Sequence, residues 1–467
     1  MSCHVNHKRS SLMENTTQSI AEFCVNTSYE VIPQVVIDRT KLLILDTIGI
    51  ITRARHDSES TGSMLDALEK MGLNQGECNV FGDTATYPPA IAALINGSLA
   101  HSLDFDDTHA EASIHASAPI IPAAIAAAQM VGASGKDLIT ACVIGYEIHV
   151  RLGKAVGAED HYSRGFHPTA TCGIYAATAA VGKILKLNSD QIESAFGISL
   201  SQTAGAMQFL KDGAWTKRLH VGQASQNGLM AAFYAREGFK GPKESLEGQW
   251  GFFNNYSTSA NVTMASEGLG DIWETMTLGV KPYPSCRYSH AAIDAIIQLV
   301  DEHSLTVSSD LRIEVGLPRR GYGIIGTPLA HKQAPKSIVD AQFSMPFSAA
   351  IAFLKTSFVW DDYETNLHDQ ATLDLCKKIS MYIDDAAEAC SPANMSAKVR
   401  IIYDDVTYER FIEIPRGEPD NFMSDEQFLK KFNGLCAPYM TTIELEAVSA
   451  RILSLEKAAT VTAVLFG

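Results

Sequence analysis

Apolar residues recur at helical spacing along the first 275 residues of the chain. Between residues 32 and 51 they form one stripe, Val36, Ile37, Leu43, Ile44 and Ile48, which is typical of the buried face of a helix. The same spacing predicts further helices at 20–24, 90–100, 123–131, 137–156, 169–187, 190–207 and 224–237. Strand patterns are nearly missing from this region, so we expect an all-helical domain in which small residues allow close packing.

The pattern changes after residue 280. Apolar residues alternate with polar residues or glycine between 311 and 317, as in a half-buried strand. Residues 399–414 are typical of two strands joined by a turn at Asp404 and Asp405. Helices are expected at 346–354, 373–381 and 424–455. We therefore predict a multidomain protein of the α and α+β class, with a large all-helical domain (1–278, completed by 416–467) and a smaller α+β domain (279–415).

The composition narrows the possible functions. The chain has 467 residues, of which 46% are hydrophobic and 19% charged, as in a globular protein too long for one ordinary core. The formal net charge of −16 argues against non-specific binding to nucleic acid or to an anionic membrane. The nine cysteines form no CxxC motif, which favours a reducing compartment without a disulfide framework or a zinc site.

The apolar runs and the first residues of the chain indicate its cellular location. The longest apolar run, 118–128, is too short to span a membrane and is interrupted by two prolines. The first 18 residues contain Lys8 and Arg9 but lack the apolar segment of a secretory signal. Glu14 interrupts the basic residues and weakens the case for a mitochondrial presequence. We expect a cytoplasmic protein, with mitochondria as the weaker alternative.

The stretch 101–115 concentrates reactive side chains between two alanine-rich runs. It holds three aspartates, one glutamate and three histidines. If the stretch is helical, Asp104, Thr108 and His115 share one face, where they could hold and deprotonate a polar substrate. The alternative is a solvated helix end in which aspartate and threonine act as caps.

Two further clusters in the helical region could bind an anion. His167 precedes Pro168, which suits the first turn of a helix, where free N–H groups and the helix dipole attract anions and favour a neutral imidazole. The segment 211–220 contains two lysines, an arginine and a histidine, and Lys217 and His220 are close enough in sequence to face one ligand. The alternatives are a structural histidine at 167 and a solvated basic face around Lys217.

Two more clusters lie in the α+β region. In the proline-rich loop 281–290, Cys286 and Arg287 are candidate substrate contacts, and a packed thiol is favoured over a nucleophile for the cysteine. In 318–323, two arginines suit bidentate binding of a carboxylate and Tyr322 lies between two glycines. A solvated loop is an equal alternative for this second segment.

Cofactor motifs are missing from the chain. There is no GxGxxG after a strand and no Walker loop. Possible metal ligands in the stretch 101–115 are His101, Asp104, His109, Glu111 and His115, but neither an HExxH pattern nor a second ligand cluster accompanies them. We therefore predict no metal and no organic cofactor, and acid–base chemistry on a small anionic molecule.

Several motifs in the same order make the chain resemble the MmgE/PrpD family over about residues 20–455. They are HSLDFDDT at 101–108, GFHPT at 165–169, WTKRLHVG at 215–222, LEGQWGFF at 246–253 and KPYPSCRYSH at 281–290. The family comprises 2-methylcitrate dehydratase, cis-aconitate decarboxylase and iminodisuccinate epimerase. The resemblance implies a helical domain with a smaller α+β lid domain, a homodimer, a di- or tricarboxylate substrate, and no metal or organic cofactor.

The resemblance also implies roles for individual residues. It places active-site roles on Asp104, Thr108, His115, His167 and Lys217, and more loosely on Tyr322. Together with the clusters described above, the predicted catalytic residues are Asp104, His115, His167 and Lys217, and the predicted substrate-binding residues are Thr108, His220, Cys286, Arg287 and Tyr322. We expect His115, positioned by Asp104, to transfer the proton at carbon. The cationic side chains, together with His167, are expected to stabilise the carboxylates and the developing enediolate.

Cys286 departs from the animal decarboxylases of the family, which have a histidine in this region. Fungal decarboxylases are similar to this chain there and share its His-x-Glu-Ala-x-x-His pattern at 109–115. The leading hypothesis is therefore a lyase that decarboxylates cis-aconitate or a related unsaturated tricarboxylate. A dehydratase of 2-methylcitrate or an alkylcitrate is the second hypothesis, an epimerase of an iminodicarboxylate such as iminodisuccinate the third, and a carboxylate-binding protein the fourth.

Overall fold

The computed structural model describes residues 15–211, 213–404 and 406–466. These residues form two compact units: the first runs to Leu278 and resumes at Cys436, and the second runs from Gly279 to Leu435. Residues 1–14, on which part of the prediction of cellular location rests, lie outside the described ranges. In the described ranges, every helix is too short or too polar to cross a membrane.

The first unit is built from helices, as the apolar spacing predicted. Its α-helices are α1 Thr16–Asn26, α2 Gln34–Asp57, α3 Glu59–Lys70, α4 Pro89–Ala100, α5 Ser117–Val131, α6 Gly135–Ala155, α7 Ala158–Ser163, α8 Pro168–Thr171, α9 Gly173–Ile184, α10 Ser189–Leu200, α11 Thr216–Arg236 and α12 Phe252–Tyr256, and after the second unit α22 Thr442–Leu453 and α23 Val461–Leu465. Two short strands, β1 Cys78–Asn79 and β2 Thr86–Tyr87, pair antiparallel.

Local chemistry sets several helix ends in this unit. Helix α6 begins with a capping box, in which the Ser134 side chain accepts from the backbone N–H of Asp137 and the Asp137 side chain accepts from that of Ser134. Helix α5 begins at Ser117, earlier than the predicted start at 123, because Pro119 falls in the first turn, where a backbone N–H is not needed.

Glycine allows α4 and α11 to approach closely. A Cβ atom at Gly222 in α11 would lie 2.1 Å from Oγ of Ser98 in α4, far below van der Waals contact. A Cβ atom at Gly97 would lie 3.0 Å from Cα of Gly222. The contact matters for the candidate site because α4 leads directly into the stretch 101–116 and α11 carries Lys217.

The second unit contains a mixed sheet. Its strands are β3 Arg312–Leu317, β4 Ile379–Ile383, β5 Ala397–Tyr403 and β6 Val406–Ile412, in the order β4-β3-β5-β6. The β3–β4 pair is parallel, and the β3–β5 and β5–β6 pairs are antiparallel. The α-helices are α13 His290–His303, α14 Arg319–Gly321, α15 Leu329–Lys332, α16 Ile338–Gln342, α17 Met345–Lys355, α18 Asp362–Asn366, α19 Gln370–Cys376, α20 Asp385–Cys390 and α21 Asp425–Cys436. The predicted combination of a helical part with an α+β part is confirmed.

The predicted helix at 373–381 was wrong in its second half. Helix α19 ends at Cys376, and β4 begins at Ile379, which pairs with Ile313 of β3. A short apolar run does not distinguish a helix from a buried strand by its spacing alone, and a parallel partner distant in the chain decides between them. The predicted hairpin is confirmed for β5 and β6, although Asp405 of its turn lies outside the described residues.

The C-terminal part differs from the sequence-based assignment in two ways. The helix predicted at 424–455 is divided into α21 and α22, because Thr441 forms a new capping box with Glu444. In addition, residues 416–435 belong to the second unit, whereas we had grouped them with the helical domain. The backbone N–H of Arg416 donates to Asp294 at 2.7 Å, a contact across 122 positions that local spacing does not reveal.

The motif 246–253 has a structural role in the first unit. The carboxylate of Glu247 accepts hydrogen bonds from both the backbone N–H and the hydroxyl of Thr17 in the first turn of α1. Phe252 and Phe253 of the same motif are buried. The motif therefore attaches α1 to the rest of the helical unit, and none of these contacts involves a residue predicted for the site.

We expect Gly222→Ala to destabilise the protein by about 1–3 kcal/mol, because the added methyl group overlaps the Ser98 side chain. Gly62→Ala in α3 is the matched control, since nothing lies within 4 Å of a Cβ atom added there. That control should raise the free energy of unfolding by about 0.4–1 kcal/mol. Urea unfolding followed by circular dichroism measures both changes, and equal midpoints for the two variants would contradict the prediction.

Candidate active site

The stretch 101–116 is a compact loop between α4 and α5, so the helix that we considered for it is wrong. The backbone N–H of His109 donates to the carbonyl of Ile114 at 2.9 Å, which closes a tight turn. Asp104 has a φ of +52°, a left-handed conformation that is incompatible with a continuous helix. The side chains of this stretch therefore meet other residues through the path of the loop, and their spacing does not place them on a helix face.

Lys217 forms an ion pair with Asp104. Its Nζ atom lies 2.9 Å from Oδ1 of the aspartate, and the two side chains are 28% and 15% exposed. Burial lowers the pKa of the lysine, but the charge and hydrogen bond of Asp104 outweigh burial and raise it above its usual value. The structure thus brings together two of the predicted catalytic residues, and the lysine is an ammonium ion at neutral pH.

Asp106, which sequence reasoning missed, contacts two imidazoles. Its Oδ2 lies 2.6 Å from Nδ1 of His101, and its Oδ1 lies 3.1 Å from Nδ1 of His115, although the second pair is not aligned as a full hydrogen bond. The side chains of Asp106 and His101 are 1% and 0% exposed. Asp104 pairs with Lys217 and Asp106 lies beside His115, so Asp106 is a second carboxylate that could position His115, and positioning by Asp104 stays a prediction.

His167 and His220 extend the row of imidazole rings. The ring centroids are 4.6 Å apart between His101 and His115, 5.6 Å between His101 and His167, and 6.0 Å between His167 and His220. Phe209 packs edge-on against the last two rings. The first unit therefore assembles four imidazoles from the loop after α4, the residue before α8 and the second turn of α11.

Burial keeps most of these imidazoles neutral. It lowers the pKa of His101 to about 4, against a smaller opposing effect of Asp106. The pKa of His167 lies well below its usual value, chiefly through burial and then through the neighbouring His101 and Lys217. We had attributed a neutral His167 to the dipole of the following helix, but α8 spans only Pro168–Thr171 and burial is the larger cause. Burial also lowers the pKa of His220.

Several buried polar atoms of this cluster have no hydrogen-bond partner among the described residues. They are Nε2 of His101, Oδ1 of Asp106, Oγ1 of Thr108, and the Nδ1 atoms of His115, His167 and His220. A buried polar group without a partner costs about 1–3 kcal/mol, and folded proteins leave few of them. Their concentration in one loop and its neighbours marks the place where a polar ligand or water would restore the missing hydrogen bonds.

The other three predicted residues, Cys286, Arg287 and Tyr322, belong to the second unit. The guanidinium of Arg287 makes a bidentate contact with Glu418, with its Nε atom 2.5 Å from Oε1. Burial lowers the pKa of this arginine to about 10. The arginine therefore already has a carboxylate partner, which weakens its predicted role as an anchor for a substrate carboxylate.

Cys286 and Tyr322 occupy different local environments. Cys286 is 9% exposed, and its backbone N–H donates to the carbonyl of Gln342 at 2.9 Å. Tyr322 is half-buried and begins a helical turn, Tyr322–Gly326, so the loop considered for this segment was wrong. Substrate binding by both residues stays a prediction.

The residues that could hold a metal ion are His101, Asp106 and His115, whose ligand atoms lie within 4.8 Å of one another. The 2.6 Å distance from His101 to Asp106 is that of a hydrogen bond. Two ligands of one tetrahedral zinc ion are roughly 3.3 Å apart, given metal–ligand bonds of about 2.0 Å. His101 and Asp106 are therefore arranged as a hydrogen-bonded pair. Of the other ligands considered, Asp104 faces Lys217 and the exposed Glu111 lies 3.8 Å from Lys154.

A helical unit with an ammonium–carboxylate pair and four adjacent imidazoles has the groups that proton transfer on an anionic molecule requires. The MmgE/PrpD N-terminal domain matches residues 18–265, and the MmgE/PrpD C-terminal domain matches residues 283–456. The chain therefore belongs to the MmgE/PrpD family, and the resemblance seen in its motifs is confirmed.

Two fungal relatives are similar over nearly the whole chain and a human relative over 70% of it. Cis-aconitate decarboxylase of Aspergillus terreus (strain NIH 2624 / FGSC A1156) is 27% identical, over 98% of this chain and 96% of the relative. The cis-aconitate decarboxylase-like protein oryM of Aspergillus oryzae (strain ATCC 42149 / RIB 40) is 28% identical, over 97% and 96%. Cis-aconitate decarboxylase of Homo sapiens is 28% identical, over 70% of this chain and 69% of the relative.

The buried imidazoles predict a loss of stability in acid. Burial lowers the pKa of His149, which lies beside the loop, to about 3, as it lowers that of His101 to about 4. The unfolded chain protonates both below about pH 6.5, so it binds more protons than the folded protein, and the free energy of unfolding falls between about pH 6.5 and 4. His149→Gln should reduce this slope by up to about 1.4 kcal/mol per pH unit, measured by urea unfolding across that range. An unchanged slope would show that His149 takes up its proton equally in both states.

Proposed function

We propose that the protein is a lyase that decarboxylates cis-aconitate or a related unsaturated tricarboxylate, without a metal or an organic cofactor. The names of the fungal and human relatives, at 27–28% identity, support decarboxylation of cis-aconitate. The observation that carries the proposal is the cluster around Lys217 and the imidazoles of the first unit, whose unpartnered polar atoms suit a polar, anionic substrate.

The proposed reaction requires stabilisation of a carbanion and delivery of one proton. In a β,γ-unsaturated acid, the bond from the allylic carbon to its carboxylate breaks and its electron pair forms a new double bond. The electrons of the former double bond move to the far carbon, which lies beside another carboxylate and there accepts a proton. The products are CO2 and a methylene dicarboxylate. A cation near that second carboxylate stabilises the enediolate that develops, which is the largest single effect in reactions of this kind.

Lys217 is the cation that we assign to this role. It is charged at neutral pH, and its pairing with Asp104 fixes its position before a substrate arrives. His167 and His220 are neutral and offer nitrogen atoms without partners, so they can bond to carboxylate oxygens or carboxyl protons of the substrate. Thr108 offers a hydroxyl in the same way.

Charge balance favours proton uptake when the substrate binds. Asp104 and Asp106 carry two negative charges against the single positive charge of Lys217, and the imidazoles with depressed pKa values add no positive charge. A tricarboxylate placed among them favours protonated imidazoles, because nearby negative charge raises the pKa of a histidine. Part-exposed His115 is the residue that we assign to carry the proton to carbon, since its side chain, at 16% exposure, can exchange with solvent.

A substrate comparison tests the proposal against its alternatives. Purified protein is incubated separately with cis-aconitate, 2-methylcitrate and iminodisuccinate, with readouts of CO2 release, absorbance of a new alkene and optical rotation. We expect CO2 from cis-aconitate at least about 10²-fold faster than turnover of the other two, a gap of about 2.7 kcal/mol in transition-state binding. Faster dehydration of 2-methylcitrate or epimerisation of iminodisuccinate would replace the proposal, and turnover of none of them would favour a carboxylate-binding protein.

We expect Lys217→Met to lower kcat about 10²-fold or more, because it removes the ammonium ion but keeps the length of the side chain. Lys211→Met is the matched control, since Lys211 lies in the same basic segment but is exposed and is not a predicted site residue. His115→Ala should lower kcat by a similar factor. Thermal unfolding of each variant shows whether the fold is intact, and wild-type rates in Lys217→Met would remove the lysine from the site.

The predicted homodimer and the cytoplasmic location are further parts of the proposal. Large apolar side chains of the first unit are exposed, among them Phe239 at 64% and Trp250 at 76%. Such side chains are common at contacts between subunits. They support self-association of the chain, and light scattering after gel filtration gives the oligomeric state directly.

A further inference from the structure

We propose that Asp106 is a positioning residue that fixes the tautomer and the orientation of two imidazoles, His101 and His115, for proton transfer. The proposal rests on the proposed function, in which His115 carries the proton. It assigns roles to Asp106 and His101, which are not among the residues that the sequence predicted for the site.

Geometry is the first argument. Each oxygen of the Asp106 carboxylate faces one imidazole, with Oδ2 2.6 Å from Nδ1 of His101 and Oδ1 3.1 Å from Nδ1 of His115. The rings of the two histidines meet edge to face, with an angle of 70° between their planes. Because the carboxylate is 1% exposed, water does not compete for these contacts. The three side chains therefore hold one another in a single arrangement.

The tautomer follows from the chemistry of the carboxylate. Its pKa lies well below the usual value, because the two imidazoles outweigh the opposing effect of burial, so Asp106 is ionised at neutral pH. An ionised carboxylate only accepts hydrogen bonds. Nδ1 of His101, which is hydrogen-bonded to the carboxylate, must then carry the hydrogen, which leaves its Nε2 as an acceptor. We assign the same tautomer to His115, whose Nδ1 lies 3.1 Å from the second carboxylate oxygen.

His115 and His101 differ in their exposure to solvent, and this difference gives them different roles. His115 is 16% exposed and can be reprotonated after each turnover, while His101 is buried and held neutral. His101 therefore fixes one oxygen of Asp106 so that the other is directed at His115. Charged or titratable groups near this trio include Lys217, Asp107 and His167, whose ring lies 5.6 Å from that of His101, and burial raises the pKa of Asp107 to about 7.

Asp106→Asn tests the proposal. An amide has one acceptor oxygen and one donor nitrogen, so one of the two imidazoles must change to the Nε2–H tautomer or lose its contact. We expect kcat to fall about 10²- to 10⁴-fold, as when the carboxylate of a catalytic triad becomes an amide. KM should change less than about 3-fold, because no group that binds substrate is removed. In the pH profile of kcat, the decline on the alkaline side should shift to lower pH in the variant. The reason is that the negative charge of Asp106, which favours a protonated imidazole, has been removed.

Asp107→Asn is the matched control. Asp107 is the next residue of the same loop and is equally buried, but it accepts hydrogen bonds from the backbone N–H and the hydroxyl of Ser117. We expect the kcat of Asp107→Asn to stay within about 5-fold of the wild-type value. Burial already raises the pKa of Asp107 to about 7, so a neutral side chain is tolerated at this position. Equal losses in the two variants would mean that the loop tolerates no amide, and would overturn the specific role of Asp106.

Nuclear magnetic resonance of the wild-type protein tests the same point without substrate. Long-range 1H–15N spectra of protein labelled at histidine should show Nδ1–H tautomers for His101 and His115, assigned by His101→Gln and His115→Gln. An Nε2–H tautomer at His101 in the wild type would overturn the proposal even if Asp106→Asn did not fold. Nδ1–H tautomers in a protein that does not decarboxylate cis-aconitate would retire the proposed function and leave the role of Asp106 intact, and kcat is then measured with the substrate that is turned over.

Discussion

The close contact between α4 and α11 is the constraint on which the candidate site depends. Gly97 and Gly222 allow the two helices to approach closely, which fixes the start of α11 relative to the loop that follows α4. Lys217 then meets Asp104 at 2.9 Å, and His220 lies one turn further along α11, beside His167. A packing interaction between small residues thus determines where the charged and polar groups of the site can be.

Burial gives these groups their chemical character. Four imidazoles, a carboxylate pair and an ammonium ion lie in one region of a helical unit, where the low polarity of the surroundings strengthens each charge–charge interaction. The protein responds by pairing Lys217 with Asp104 and by keeping His101 and His167 neutral. Neutral imidazoles beside one cation can take up protons when an anion binds, which makes the site more positive. They release these protons when the anion leaves.

The sequence predicted the fold class and the composition of the site better than its geometry. Helical spacing located the main helices, and the residue types of 101–115, His167 and Lys217 pointed to acid–base chemistry. The role of Asp106 was not predicted because Asp104, Asp106 and Asp107 are equivalent in a sequence, while the loop brings them to different contacts, which are Lys217, two imidazoles and Ser117, respectively. The position of Asp106 between two histidines in the sequence was a possible sign of its role. The partners of its side chain, however, are set by the tertiary structure.

Contacts between distant positions explain the other differences. The ion pair of Arg287 with Glu418 spans 131 positions, and the parallel pairing of Ile379 with Ile313 makes a strand of a segment that could also be a helix. Neither contact has a periodic signature in the chain. Local patterns therefore predict which elements form, and long-range contacts decide which side chains remain available for a ligand.

The unpartnered nitrogen and oxygen atoms of His101, Thr108, His167 and His220 have an evolutionary consequence. Each of them makes the empty protein less stable than an apolar replacement of the same shape would. Selection for thermal resistance alone would therefore tend to replace these side chains with leucine or phenylalanine and so erase the ligand site. Their presence in a buried region is explained if a bound polar ligand supplies the missing hydrogen bonds and so offsets this loss of stability.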